Sequence, residues 1–175
     1  NCTLPELQAL MATLGEPAYR GLQVWEWIWS KGVRSFAHMT NVAKGLRSTL
    51  EETCILAWPG EAKVLESQDG TVKFLLQMHD GHLVETVLIP GEKHWTQCLS
   101  TQVGCPMACA FCATGSMGFT RNLTMAEILG QVLAARAFLQ GREDQGESRT
   151  LRNLVYMGMG EPFLNLREVM RSLET

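Results

Sequence analysis

Three cysteines lie close together in the segment Gly104-Cys105-Pro106-Met107-Ala108-Cys109-Ala110-Phe111-Cys112, where their spacing is C-x3-C-x2-C. The segment directly follows residues 94–100, whose pattern predicts a strand. A helical pattern from about Thr124 to Gln140 comes next, and a second predicted strand runs from Asn153 to Met157. Strand, helix and strand in this order, followed by a further helix near Asn165, are typical of parallel βα units. The cysteines are therefore predicted to lie on the loop after the first strand of a parallel sheet.

Only two such units fit before Thr175, which is too few to close a barrel or to cover both faces of a sheet. We therefore expect the natural protein to continue well beyond this chain. Thr124 and Glu127 have the spacing of a capping box, which predicts where the long helix begins. The expected fold class is α/β, or α+β when the whole chain is considered.

Two different patterns precede the βα units. Apolar residues recur at helical spacing between residues 4 and 56, which predicts three helices, with Thr40 or Asn41 as the N-cap of the third. From residue 62 to residue 90 the pattern changes to three short strands separated by two Asp-Gly dipeptides, which favour hairpins. The predicted organisation is an N-terminal helical accessory domain at 1–57, a small antiparallel β-meander or connector at 58–92, and the first part of an α/β core at 93–175.

Composition bounds the class of protein. With 175 residues, 46% of them hydrophobic, the chain is long enough to bury a core. A net charge of -3 and a pI near 5.8 are a poor electrostatic match for a stand-alone nucleic-acid binder, because phosphates attract basic surfaces. The sequence shows no apolar run long enough for a membrane span and no export signal, so a cytoplasmic location is expected.

The six cysteines are expected to be reduced thiols, because the chain is core-rich and lacks an export signal. Three neighbouring thiolates would saturate three irons of an iron-sulfur cubane and leave the fourth open to a small ligand. Zinc is an alternative, with Cys98 or His94 completing the site. A thioredoxin-like dithiol at Cys109 and Cys112 is another alternative, although it leaves Cys105 without a role.

A second candidate site is the segment Gly158-Met159-Gly160-Glu161-Pro162, which follows the second predicted βα strand. Open α/β sheets bind ligands at this position. Glycines there allow a ligand to approach the backbone closely. A tight turn would explain the glycines equally well, but it would not explain the carboxylate of Glu161.

The cysteine motif, with the aromatic Phe111 before its last cysteine, resembles the radical S-adenosylmethionine (SAM) superfamily. Further segments resemble one of its families, the RlmN family of RNA adenine-C2 methyltransferases, and the likeness extends back to residues 23–50. The resemblance implies the first part of a radical SAM partial (β/α) barrel. The segments that carry it are Glu85-Thr86-Val87, Cys98-Leu99-Ser100-Thr101-Gln102-Val103-Gly104-Cys105, Gly118-Phe119-Thr120-Arg121-Asn122-Leu123 and Gly158-Met159-Gly160-Glu161-Pro162.

The resemblance implies two cofactors and their ligands. A [4Fe-4S] cluster would be held by the three cysteines of the motif and would split SAM to a 5'-deoxyadenosyl radical. Gly160 and Glu161 would contact the methionine part of SAM, with the Glu161 carboxylate opposite its ammonium group. The implied cluster ligands are Cys105, Cys109 and Cys112.

The resemblance also implies a route through a methyl-cysteine. In the family, a methylated cysteine near the C-terminus loses a hydrogen atom, and the carbon radical adds to C2 of an adenine in 23S rRNA or tRNA. A radical is needed because C2 is not nucleophilic enough to attack a sulfonium methyl. Glu85 resembles the proposed proton acceptor, or is simply an exposed strand glutamate. Cys98 resembles the cysteine that resolves the adduct by forming a disulfide.

The methyl-carrying cysteine has no counterpart in this chain, which is therefore expected to be inactive alone. The implied partners are 23S rRNA, tRNA and a flavodoxin-like or other electron donor, and the full-length protein is expected to be a monomer. An enzymatic alternative is a Cfr-like methyltransferase acting at adenine C8, since the cluster motif does not distinguish the two. An alternative of another class is a zinc-stabilised RNA-binding module without catalysis.

Overall fold

A computed structural model describes residues 2–143, 146 and 148–175. The chain forms two compact units. One comprises residues 1–57 together with 173–175, and the other comprises residues 58–172. Among the described residues, no helix has both the length and the apolar character needed to cross a bilayer.

The first unit is helical, as predicted. Its core side chains come from every element and include Met11, Val24, Phe36 and Leu50. Its elements are α1 (Leu4–Thr13), α2 (Tyr19–Trp25), a π-helical continuation of α2 (Glu26–Ser30), a short 3-10 helix (Phe36–His38) and α3 (Lys44–Thr53).

The predicted N-cap of the third helix is wrong. Helix α3 begins after Ala43, and its N-cap residue makes no side-chain hydrogen bond. The Asn41 side chain instead accepts a hydrogen bond from the indole Nε1 of Trp27. The side chain that local propensity predicts to cap the helix thus binds Trp27, which lies 14 positions away along the chain.

The second unit contains a five-stranded sheet in the order β1-β2-β3-β4-β7. Strands β1 to β4 pair antiparallel, and β4 pairs parallel with β7, so the meander and the first βα strands share one sheet. The predicted α/β class is confirmed. The strands are β1 (Gly60–Glu66), β2 (Val72–Gln77), β3 (Leu83–Pro90), β4 (His94–Cys98) and β7 (Thr150–Val155).

Helix α5 (Met125–Glu143) covers one face of this sheet. Ile128, Ala135 and Leu139 join the sheet core, and Phe138 meets Phe74 edge to face with ring centroids 5.2 Å apart. The predicted capping box starts the helix: Thr124 N–H donates to Glu127 Oε2 at 2.9 Å, and Glu127 N–H donates to Thr124 Oγ1 at 3.3 Å. The opposite face of the sheet carries half-exposed side chains at alternate positions.

A second, two-stranded sheet was not predicted from the sequence. It pairs β5 (Gln102–Gly104) with β6 (Phe119–Asn122), on either side of the cysteine loop and the short helix α4 (Ala113–Ser116). Arg121 anchors β6, because its guanidinium contacts Asp80 at 2.6 Å and Glu127 at 2.8 Å. These ion pairs lower the pKa of Asp80 to about 2 and raise the pKa of Arg121.

The second βα strand is also shifted from its prediction. It runs from Thr150 to Val155 rather than from Asn153 to Met157, and it is largely exposed, since Leu154 is 44% exposed. A 3-10 turn (Pro162–Asn165) and helix α6 (Leu166–Leu173) follow, which confirms the helix expected near Asn165.

Gly130→Ala is expected to lower the free energy of unfolding by about 1–3 kcal/mol, because overpacking a filled core is costly. A Cβ at this position in α5 would lie 2.5 Å from the ring Cδ of Pro59. Gly141→Ala is the control in the same helix, since nothing lies within 4 Å of its Cβ. Urea unfolding of both variants measures the difference, and equal losses would contradict the packing argument.

Candidate functional site

The cysteine loop is clamped at both ends by backbone contacts. Cys105 directly follows β5, and its N–H donates to Gly118 O at 2.9 Å. Gly104 lies in the left-handed region at φ 74°, and a Cβ there would lie 1.9 Å from Gly118 O. Only glycine fits this crossing. At the far end of the loop, Cys112 N–H donates to Cys109 O at 3.0 Å.

Backbone strain is concentrated between the first two cysteines. Ala108 has φ 47°, the only positive φ of a non-glycine residue in the described ranges. Such a conformation costs on the order of 1–3 kcal/mol and persists only where the surroundings impose it. Gly115 of α4 supplies part of that constraint, because a Cβ there would lie 3.0 Å from Cys109 N.

The loop carries three thiols in one short segment. Cys105 is buried, and Cys109 and Cys112 are half-buried. In the part of the chain that the structure describes, no three His, Cys, Asp or Glu side chains are arranged to hold one metal ion. Each thiolate of a cubane binds a different iron. The chemistry of three thiols on one clamped loop matches the donor set of a cubane.

Glu85 and Cys98 lie on the open face of the five-stranded sheet. Their strands are paired in register, with Val87 opposite Cys98, so both side chains point to the half-exposed side. Burial raises the pKa of the Cys98 thiol above its ordinary value of 9.0, partly opposed by a hydrogen bond from the backbone of Met157. Cys98 is therefore protonated at neutral pH. The Glu85 carboxylate forms an ion pair with Lys73 at 3.1 Å.

The turn at residues 158–161 packs directly against the end of β4. Gly158 N–H donates to Leu99 O at 2.9 Å, and Met159 O accepts from Thr101 N–H at 2.8 Å. Gly160 has φ 96°, and a Cβ there would lie 2.5 Å from Gln102 Cβ. Both glycines of the predicted ligand turn are thus required by close backbone approach, which is the structural alternative raised from the sequence.

Ser100 joins this turn to the strand that carries Glu85. Its hydroxyl donates to Glu85 O at 2.5 Å and accepts from Met159 N–H at 2.7 Å. The buried Gln131 side chain of α5 binds both Ser100 N–H and Ser100 O, each at 2.9 Å. Glu85, Ser100, Gln131 and Met159 form what we name the strand-end network. Sequence reasoning missed Ser100 and Gln131, although polar residues inside apolar strand and helix patterns were the available signal.

Gln102 and Glu161 complete the connection to the cysteine loop. The buried Gln102 side chain accepts from Glu161 N–H at 2.9 Å and donates to Asn122 of β6 at 2.8 Å. The Glu161 carboxylate accepts from Phe163 N–H at 3.1 Å, so it also caps the following 3-10 turn. The strand-end network, the turn and the base of the cysteine loop are therefore tied together through residues 98–104.

Comparisons with known proteins show which proteins the chain resembles. Residues 1–56 match the family model described as the ribosomal RNA large subunit methyltransferase N-terminal domain. The dual-specificity RNA methyltransferase RlmN of Nitratidesulfovibrio vulgaris (strain Miyazaki F) is 59% identical over 181 residues, covering 100% of this chain and 49% of the relative. Over its whole length the chain is similar to the RlmN family. The RlmN of Solidesulfovibrio magneticus is 55% identical, over 99% of this chain and 49% of its own length.

The fold comparison points the same way. A radical SAM methyltransferase from Sphaerobacter thermophilus has a TM-score of 0.87 and 41% sequence identity, over 99% of this chain and 50% of that structure. This confirms the predicted radical SAM fold. The chain spans about half the length of the curated RlmN relatives it matches.

Gly160→Ala is expected to lower the free energy of unfolding by about 1–3 kcal/mol more than Gly15→Ala does. Both glycines have positive φ, but only Gly160 has a close neighbour, because nothing lies within 4 Å of a Cβ at Gly15. The difference isolates the close contact with Gln102. Denaturant titration of the two variants measures it, and identical losses would show that the backbone conformation alone matters.

Alkylation of Cys98 is expected to be slow at pH 9 in the folded protein and faster after unfolding, because burial holds its pKa above 9.0 only in the folded state. As the pH rises past the raised pKa, Cys98 in the folded protein should begin to react. Iodoacetamide labelling followed by peptide mass spectrometry measures the profile. A Cys98 profile that is the same in folded and denatured protein would contradict the effect of burial.

Proposed function

We propose that this chain is part of a radical SAM methyltransferase that methylates C2 of adenine in 23S rRNA and tRNA through a methyl-cysteine intermediate. The observation that carries the proposal is the clamped C-x3-C-x2-C loop, tied through Gln102 to the turn at 158–161. The names of the relatives, dual-specificity RNA methyltransferase and radical SAM methyltransferase, support the substrate class and the chemistry.

Cys105, Cys109 and Cys112 would hold a [4Fe-4S] cluster, and Gly160 and Glu161 would hold the methionine part of SAM. When bound, the cluster would supply the electron that cleaves the sulfonium of SAM. The chain itself holds the cysteine loop and the turn together, because β5 and Gln102 connect them. Preorganisation of this kind places a ligand without further rearrangement.

Glu85 would accept the proton that adenine loses from C2. Once a carbon radical has added to C2, the ring regains its aromaticity only when the C2–H bond breaks, its proton leaves and one electron is lost. That electron would return to the bound cluster, which had given one electron to SAM. A carboxylate on the open face of the sheet is suited to this role, because the incoming base would displace water around it. The main chain of Glu85 is held by Ser100, which keeps the side chain at a fixed strand end.

Cys98 would release the product by attacking the sulfur of the methyl-carrying cysteine. One S–S bond forms, the S–C bond to the substrate breaks, and the electron pair stays with the carbon, which is then protonated to the methyl group. Because burial keeps Cys98 protonated, its thiol must lose a proton when the attack occurs. The methyl-carrying cysteine has no counterpart in this chain, so we propose that the chain alone is inactive.

The remaining parts of the proposal concern organisation and partners. Residues 1–57 would form the accessory domain, 58–92 the connector and 93–175 the first part of the core. The family-model match over residues 1–56 supports the first boundary. The chain carries a net charge of -3, so the rest of the protein would supply much of the basic surface for RNA. A flavodoxin-like or other donor would provide electrons to a cytoplasmic, monomeric enzyme.

Cys109→Ala in the complete protein is expected to abolish SAM cleavage and RNA methylation after anaerobic reconstitution, because one cluster ligand is lost. Cys54→Ala should retain both activities, since Cys54 is a half-buried thiol outside the motif. Iron, acid-labile sulfide and 5'-deoxyadenosine are measured together. Cleavage by the Cys109 variant, or methylation by this chain alone, would contradict the proposal.

The same preparation separates the alternatives. Stoichiometric zinc without sulfide would indicate a non-catalytic RNA-binding module. Digestion of the modified RNA, with chromatography and mass spectrometry of its nucleosides, distinguishes 2-methyladenosine from the 8-methyl product of a Cfr-like enzyme.

A further inference from the structure

Lys73 and Glu85 form an ion pair on the open face of the sheet. Lys73 Nζ lies 3.1 Å from Glu85 Oε1, with the two side chains 43% and 44% exposed. Lys73 on β2 is opposite Val87 of β3, and Leu75 is opposite Glu85, so the pair is diagonal across neighbouring strands. Long side chains reach each other readily in this position.

The main chain of Glu85 is fixed independently of this pair. Its N–H donates to Met159 Sδ at 3.3 Å, and its C=O accepts from the Ser100 hydroxyl at 2.5 Å. Among residues 2–143, 146 and 148–175, Lys73 is the ion-pair partner of the Glu85 carboxylate. The strand-end network therefore fixes the backbone position of Glu85, and Lys73 fixes the orientation of its carboxylate.

Apolar residues surround the pair on the same face. Lys73 pairs across the strands with Leu65 and Val87, and Glu85 pairs with Leu75. An exposed ion pair contributes little in water. When a flat base covers this face, the pair is removed from solvent and its attraction increases, because the local dielectric constant falls.

We propose that Lys73 is a positioning residue for proton transfer, whose ammonium group holds the Glu85 carboxylate in one orientation, directed at the adenine ring. The proposal rests on the role of Glu85 as proton acceptor. In the step, the C2–H bond breaks and the proton passes to a Glu85 oxygen. Lys73 keeps its three protons throughout, so it transfers nothing and acts through Glu85.

Lys63 provides a matched control on the same sheet. Lys63 of β1 is opposite Leu75 of β2, which is opposite Glu85 of β3. Lys63 therefore lies on the open face, one row of cross-strand partners away from Lys73. It is exposed, and it forms no ion pair with any described residue. Lys63→Met therefore removes the same charge from the same face without touching the carboxylate.

In the complete reconstituted protein, Lys73→Met is expected to lower kcat for RNA methylation by on the order of 10-fold or more, part of the 10²–10⁴-fold typical of acid-base catalysis. KM for RNA should not change, and Lys73→Arg should recover most of the rate. Lys63→Met should leave both constants unchanged. If Lys73→Met raised KM and left kcat unchanged, Lys73 would be a contact to RNA phosphate and the proposal would be wrong. If Lys73→Met changed neither constant, Lys73 would have no role in the reaction.

Two further measurements separate positioning from general damage. RNA deuterated at adenine C2 should show a larger isotope effect on the rate with Lys73→Met, because proton removal becomes more rate-limiting. Adding Lys73→Met to Glu85→Gln should cause no further loss of the residual single-turnover rate. If Glu85→Gln abolished methylation and Lys73→Met did not change its rate, only the role of Lys73 would be overturned. Full activity of Glu85→Gln would overturn the proposed proton acceptor itself.

Discussion

The hydroxyl of Ser100 connects the two strand ends and the turn on which the candidate site is built. It donates to the carbonyl of Glu85 on β3 and accepts from the amide of Met159, while Gln131 of α5 satisfies both backbone groups of Ser100. Buried polar groups of this kind stabilise one arrangement strongly, because any other leaves them without partners. The relative placement of Glu85, Cys98 and the turn at 158–161 follows from this network.

The cysteine loop depends on a different constraint, the close crossing of β5 and the residues before β6. Gly104 and Gly118 approach so closely that a side chain at Gly104 is excluded. The crossing closes the loop at its base, and the strained Ala108 bends it between the first two cysteines. Gln102, two residues before Gly104, contacts the ligand turn. The two parts of the proposed cofactor site are therefore held by one short strand.

The two faces of the five-stranded sheet differ in their chemistry. One is filled by α5 and the core around Trp95 and Phe74, and the other leaves Lys73, Glu85 and Cys98 half-exposed. The open face therefore carries a carboxylate and a thiol, whereas the opposite face is apolar. Burial on this face raises the pKa of the Cys98 thiol.

The sequence by itself determined the features that depend on neighbours along the chain. The three-cysteine spacing, the capping box at Thr124 and the alternation of strand and helix arise from local periodicity and local hydrogen bonds, and the structure contains the box and the alternation. Tertiary structure alone decided the joining of the meander to β4, the β5–β6 pair, and the Ser100 and Lys73 contacts. These depend on strand register and on contacts between residues that are not neighbours along the chain, whose pairing no local pattern encodes.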